Sequence, residues 1–243
     1  MKDDPIYCPK NVALYEALYG KNLISLGGQK AIDNMFSGLK IEGLKALDVG
    51  FGLGGVAFYL AIHYSMQISG VEIHPWMVQH AKAEAPGSQV DFFLYDTDGK
   101  LPFADNSFDL VYSKGVFNHV HQKLNLLHEV QRVLKSGGLL VIADWIFPGS
   151  KPEIKGPIVC ETEHSYRSAL QAAQFSQISI REDNSHFLKY VKELLERLTA
   201  SQKMIEHEYG KEMFEEIQQQ HERLIVEMQQ VQRFAVRITA ISI

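Results

Sequence analysis

The stretch that most constrains this chain is Leu47-Asp48-Val49-Gly50-Phe51-Gly52-Leu53-Gly54-Gly55. A short apolar run (Ala46, Leu47, Val49) leads into it, and a helix-compatible run (Val56, Ala57, Phe58, Leu60, Ala61) leads out. Buried strand, glycine turn, helix is the opening of a βαβ unit. Glycines belong here because the turn needs φ values that a Cβ disfavours and because a ligand must come close to the backbone. Amides at the start of the following helix are then expected to face that ligand, ready for an anionic group.

Three readings compete for the turn. Gly50, Gly52 and Gly55 satisfy G-x-G-x-x-G, the dinucleotide fingerprint, which alone is a weak signal. An ordinary glycine-rich connection is the plain alternative. Read from Asp48, the same residues give D-x-G-x-G-x-G, which resembles the first motif of class I S-adenosylmethionine-dependent methyltransferases. An acid at the strand end sits awkwardly beside a pyrophosphate and well beside the cationic methionine end of that cofactor.

Strand and helix then alternate, the signature of a parallel, doubly wound sheet. Strands are expected at 68–73, 90–95, 108–112 and 139–145, with helices at 76–85 and 122–134. The second helix should turn Leu124, Leu127, Val130, Val133 and Leu134 inward, and Lys135-Ser136-Gly137-Gly138 should turn into the fifth strand. Before the glycine turn, Val12, Leu14, Tyr15 and Leu18 mark a short amphipathic helix ended by Gly20, and Gly27-Gly28 opens a second. After the fifth strand, 147–159 is rich in Pro and Gly and reads as a loop, 166–173 as a helix and 176–181 as a sixth strand. From Phe187 to Phe234 there are 48 residues with no proline and one glycine, Gly210, read as two or three helices broken near 199–201 and 209–210. The β-branched end, 235–243, suits a last strand beside the sixth. The helical stretch before it reads as a lid over the crevice or, more plainly, as a packing or dimer surface.

Composition excludes several classes. With 243 residues, 46% hydrophobic and 22% charged, the chain suits one α/β domain with elaborations. A net charge of −5 gives no basic field for extended nucleic-acid binding. No apolar run approaches the ~20 residues that span a bilayer. The start, Met1 to Pro5, lacks a signal-peptide core, and Cys8 and Cys160 have no metal-ligand spacing. A cytoplasmic protein with reduced thiols and no metal is the expectation; the oligomeric state is left open.

Ligands of such sheets sit outside the carboxyl ends of the strands. There the sequence places Asp48 and Gly50, then Glu72, then Asp96 flanked by Tyr95 and Thr97, then Ser113-Lys114. Glu72 can accept hydrogen bonds from both ribose hydroxyls and Asp96 from an adenine amino group, although any single acid can merely cap the next helix.

Leu47 to Gly55, Gly70-Val71-Glu72, Asp96, Leu101-Pro102-Phe103, Ser107-Phe108-Asp109 and Arg132 to Gly138 read, in order and spacing, like the motifs of class I S-adenosylmethionine methyltransferases. The segment after strand four is Ser113-Lys114-Gly115-Val116 rather than the Asn-Pro-Pro-Tyr type of many amino-group methylases acting on nucleic acid or glutamine. A narrower likeness reaches further. Tyr7 to Gly20, Leu23-Ile24-Ser25-Leu26-Gly27-Gly28, Tyr112 to His119 and Gln232-Arg233-Phe234 resemble the phosphoethanolamine (phosphobase) N-methyltransferases. That resemblance implies a catalytic dyad latching the site, at Tyr7 and His119. It also implies cofactor contacts from Ser25, Asp48, Gly50, Gly52, Glu72, Asp96, Thr97, Ser113 and Lys114. Arg223 stands where the family has a phosphate-binding lysine, and Trp145 where it has a tyrosine. Two departures stand out: residues 146–159 hold neither Tyr nor Arg, and Gly115 replaces an acid.

The expected architecture is therefore a doubly wound, mostly parallel, seven-stranded Rossmann-like sheet in three parts. These are a helical cap (1–40), a core (41–185 and 231–243) and a helical lid insertion (186–230). The expected activity is transfer of a methyl group from S-adenosylmethionine to a small-molecule acceptor, first an amine. Tyr15 and Trp145 would contact its cationic nitrogen by cation–π attraction. The alternatives are O- or C-methylation of another small, apolar acceptor, or a cofactor-binding regulatory protein without turnover.

Overall fold

The computed structural model describes residues 8–95 and 99–243. Tyr7, Asp96 and Thr97 lie outside the described residues. Two helices, α1 (Val12–Tyr19) and α2 (Gly28–Phe36), precede the first strand. The core then runs β1 (Lys45–Val49), α3 (Gly55–Tyr64), β2 (Gln67–Glu72), α4 (Pro75–Glu84), β3 (Val90–Leu94), β4 (Phe108–Lys114), α5 (Lys123–Val133) and β5 (Leu134–Ile146). A hairpin, β6 (Glu153–Lys155) and β7 (Ile158–Cys160), is followed by α6 (Glu163–Ala172) and β8 (Phe175–Glu182). Three helices, α7 (Asn184–Ala200), α8 (Gln202–Tyr209) and α9 (Lys211–Gln229), lead to β9 (Phe234–Ser242).

The seven-stranded sheet has the order β3-β2-β1-β4-β5-β9-β8. β1 to β5 pair in parallel, and β9 runs antiparallel between β5 and β8. This is the expected doubly wound architecture. The order reverses between β1 and β4, which opens a crevice at the carboxyl ends of these strands. Apolar side chains cover both faces: Leu127, Val130 and Tyr166 belong to one core cluster, and Ile32, Phe36, Ala57 and Leu60 to the other.

α1 and the helices of the insertion share a core of their own. Leu14 and Leu18 of α1 pack with Leu194 and Leu198 of α7, Ile205 of α8 and Phe214 of α9. The breaks fall where the sequence puts them, at Ser201 and at Gly210 with its φ of +90°.

Three local expectations are corrected. The stretch read as a loop after strand five contains the β6–β7 hairpin, turned at Gly156 with a φ of +60°. The glycine turn at 135–138 lies within β5: Phe108 pairs with Leu134, the next pair is Leu110 with Leu139, and the intervening residues bulge out. Leu124, expected inside, is 41% exposed, and Leu126 takes its place in the core. Two residues along a helix rotate a side chain by about 200°, which puts Leu124 and Leu126 on opposite faces.

Candidate active site

A cleft lies at the carboxyl ends of β1, β2 and β4. Its walls are the glycine turn, Glu72 to His74, the segment Lys114 to Val120, and the loop Asn22 to Ser25 between α1 and α2. Tyr95 and Leu126 close it from the side.

The glycine turn folds as the sequence requires. Gly50, Gly52 and Gly54 have φ of +79°, +59° and +90°, in the region a Cβ disfavours. What their amides do is less expected. Gly50 N donates to Val71 O, Gly54 N to Phe51 O, and Gly55 N to Asn22 O at 2.9 Å. Gly52 N donates to Glu72 Oε2 at 3.1 Å. All four glycine amides are thus committed within the protein, so of the amides expected to face a ligand at the start of the following helix, that of Gly55 is taken by Asn22. A pyrophosphate cradle works by offering such amides, so the glycines of this turn offer close approach rather than anion donors.

Glu72 organises the floor. Its Oε1 accepts from Ile73 N (2.8 Å), His74 N (3.2 Å) and His74 Nδ1 (2.8 Å), whereas Oε2 accepts from Gly52 N alone. A carboxylate has about four lone-pair sites, so the open one lies on Oε2. One ribose hydroxyl can bond there directly; a second has to displace a donor from Oε1.

Asp48 is 3% exposed. Burial pushes its carboxyl up to about 8, with the Glu72 charge adding to the rise and the neighbouring Tyr112 hydroxyl opposing it. Among the described residues, Asp48 Oδ2 has no regular hydrogen-bond partner although it is shut from solvent. Such an acceptor suits a cationic donor arriving in the cleft. On the opposite wall, Lys114 Nζ reaches Ser25 Oγ at 2.6 Å and Leu26 O at 3.0 Å. Burial alone pulls its ammonium down to about 8. An acid and a base therefore face one cleft with their charges poised rather than spent, a pattern that marks ligand sites.

The loop from α1 to α2 crosses the cleft as a strap. Asn22, at φ +57°, receives the Gly55 amide on its carbonyl, and its side-chain oxygen meets His80 Nε2 at 3.1 Å. Its own amide donates to Glu16 Oε1 at 2.9 Å. His119 ends a short 3-10 turn, Phe117–His119, and lines the cleft beyond Val116.

The strands and helices that build these walls are the part of the chain with a recognisable family. Residues 47–142 match the family described as "Methyltransferase domain". Over those residues the chain resembles a methyltransferase domain. Around that domain it resembles the phosphoethanolamine N-methyltransferases. Phosphoethanolamine N-methyltransferase 3 of Arabidopsis thaliana is 26% identical over 225 residues, 88% of this chain and 46% of the relative. Phosphoethanolamine N-methyltransferase of Plasmodium falciparum is 32% identical over 142 residues, 57% of this chain and 53% of the relative. The chain thus spans about half the length of these curated relatives. Phosphoethanolamine N-methyltransferase 2 of Haemonchus contortus, solved with phosphomonomethylethanolamine and S-adenosylhomocysteine, shares the fold. Its TM-score is 0.87 at 20% identity, covering 98% of this chain and 58% of that one.

The residues singled out by sequence divide. Asp48, Gly50, Gly52, Glu72, Lys114 and His119 line one cleft, together with Ser25 of the strap. Ser113 does not: its side chain is fully buried and donates to Val49 O at 2.7 Å, tying β4 to β1. Three candidates for the acceptor are not brought to the cleft. Tyr15 is buried with Leu53 and Met77. Arg223 is exposed on α9. Trp145 has its ring face taken by the Arg233 guanidinium, 5.3 Å from the ring centroid, and its edge by Phe187. Sequence reading also passed over residues that matter here. His74, two positions after Glu72 and just before the helix-opening Pro75, fixes the carboxylate; its place in Glu-x-His-Pro was the available signal. Asn22 and His80 left no local signal, because their contact spans 58 residues.

Proposed function

We propose that this chain is an S-adenosylmethionine-dependent methyltransferase acting on a small amine. The observation that carries the reading is one cleft holding Glu72, Asp48, Lys114 and His119 around a glycine turn whose amides are already committed. When bound, S-adenosylmethionine supplies an electrophilic sulfonium methyl. The chain's own groups fit it. Glu72 Oε2 takes a ribose hydroxyl, Asp48 faces the ammonium, and Lys114 with Ser25 faces the carboxylate. His119 takes the proton that an amine must lose to attack. α1 and the helices of the insertion share a core, and the α1–α2 loop, Asn22 to Ser25, lines the cleft; closing that loop over bound ligands would exclude water, which for this chemistry is a large part of the rate.

The relatives' acceptor is phosphoethanolamine, but the side chains here favour an amine without the phosphate. A buried phosphate needs several charge-assisted donors. Residues 146–159 offer only Lys151 and Lys155; both are exposed, and Lys155 pairs with Glu153 at 3.3 Å. A second reading, O- or C-methylation of an apolar acceptor, is favoured by the Val116, Val120 and Leu126 wall. No helix among the described residues is long and apolar enough to cross a membrane. We place the enzyme in the cytoplasm, a reading supported by its two cysteines, neither in a disulfide.

Calorimetric titration with S-adenosylmethionine, and with NAD in parallel, tests the cofactor. Binding of the first and not the second is expected, with a characteristic pH dependence. With Asp48 near 8, about nine in ten of its carboxyls are protonated at pH 7. A cation beside it favours the ionised form and expels that proton. Lys114, also near 8, is already protonated at pH 7, so an incoming carboxylate gains little uptake there. Net proton release is expected at pH 7, turning to net uptake near pH 9. Comparing buffers of different ionisation enthalpy reads the sign, and Asp48→Asn should abolish the release. Equal binding of NAD, or uptake at pH 7, would overturn the assignment.

A further inference from the structure

The turn that carries His119 is fastened from behind by buried polar side chains outside the cleft. Asn118 is 3% exposed, and its carboxamide makes three hydrogen bonds. Nδ2 donates to Trp145 O at 3.1 Å and to Val159 O at 3.0 Å, and Oδ1 accepts from Trp145 N at 3.1 Å. The Asn118 backbone amide donates to Asp144 Oδ2 at 2.9 Å. Asp144, also 3% exposed, accepts further from Trp145 N at 2.9 Å and from the Tyr166 hydroxyl at 3.3 Å. One residue thus ties the His119 turn both to the end of β5 and to β7 of the hairpin. A second tie follows at the start of α5, where buried Lys123 pairs with Glu161 at 2.6 Å.

Burying this much polarity is costly, and an apolar side chain at 118 would pack more cheaply. What a carboxamide with both N–H donors and its oxygen engaged adds is a single register, because each of its bonds is directional. The residue it holds in register is its neighbour, His119, and the element it ties to is the β6–β7 hairpin.

We infer that Asn118 and Asp144 are positioning residues for His119. Asp144 fixes the backbone of the turn, and Asn118 locks it to β5 and to the hairpin, so that the hairpin and the imidazole move as one unit. This deepens the proposed function and rests on His119 serving methyl transfer. Misplacing a catalytic group by about 1 Å is enough to cost roughly a hundredfold in rate.

The test is a double-mutant cycle in the full-length chain. Asn118→Leu keeps the volume and removes the three side-chain bonds, and Asp144→Asn removes the charge with little change of shape. Each alone should lower kcat about tenfold to a hundredfold with the S-adenosylmethionine Kd within about threefold. In a His119→Ala background the same substitutions should change kcat by less than about twofold, because the group they position is gone. A second readout needs no turnover: the His119 ring signals in an NMR spectrum, assigned with His119→Gln, should shift in both variants. Losses that simply multiply with that of His119→Ala would overturn the inference, as would an unmoved His119 signal. If no amine is methylated, the proposed function fails by itself, and the ring signal decides the positioning role.

Discussion

His119→Ala is expected to lower kcat by about a hundredfold to ten-thousandfold, the usual range for loss of a general base, while the S-adenosylmethionine Kd moves by less than about threefold. The split follows from position. His119 lines the cleft next to Val116, and its backbone amide is held by Val116 O at 2.8 Å. It makes none of the hydrogen bonds that shape Glu72 or the glycine turn, which are supplied by Gly52, Ile73, His74, Val71, Phe51 and Asn22. Removing the imidazole therefore leaves the Glu72 and glycine-turn part of the cleft standing. Tyr7→Phe should show the same split if the dyad implied by family resemblance forms. Steady-state rates with calorimetric Kd values decide it, and equal losses in both would mean that His119 shapes the cofactor pocket instead.

Glu72→Ala is expected to weaken S-adenosylmethionine by about tenfold to a hundredfold, the worth of ~1.5–3 kcal/mol for a charged acceptor. It should also lower Tm by about 5 °C or more, since Gly52 N, Ile73 N and His74 N lose their acceptor. Glu72→Gln, which keeps the volume and one carbonyl oxygen, should fall between. Measuring Kd well below the transition of every variant separates lost affinity from lost fold. Unchanged affinity in Glu72→Ala would remove this cleft as the cofactor site. A bulky residue at Gly50 is a poorer probe, because a Cβ there lies 2.4 Å from Val116 Cγ2 on a backbone with φ of +79°. Such a variant strains the turn before any ligand arrives.

The strands and helices were legible because each carries its own period. Buried parallel strands such as Lys45–Val49 read as apolar runs, and the glycine turn announces its backbone by composition. That Asp48, Gly50, Gly52, Glu72 and Lys114 line one cleft was legible for the same reason: in a doubly wound sheet, a residue's place at a strand end is also its place in the crevice. What could not be read depends on partners distant in sequence. Nothing near Trp145 says that Arg233 will cover its face, and nothing near Gly55 says that Asn22 will take its amide. The β6–β7 hairpin escaped notice because Pro152, Gly156 and Pro157 dominate the composition of a segment with only three residues per strand. Asn118 carries no local signal of its role, since its partners Trp145 and Val159 are 27 and 41 residues away.

The most direct measurement is S-adenosylhomocysteine release from S-adenosylmethionine across a panel of acceptors: phosphoethanolamine, its dephosphorylated form and unrelated small amines. Methyl transfer is predicted to depend on the acceptor. An uncharged or cationic amine should give the higher kcat/KM, because among the described residues Lys114 is the only lysine or arginine lining the cleft. A hundredfold preference for phosphoethanolamine would contradict the reading of the 146–159 segment. Release no faster with any amine than without one, from protein that binds S-adenosylmethionine, would contradict the central claim.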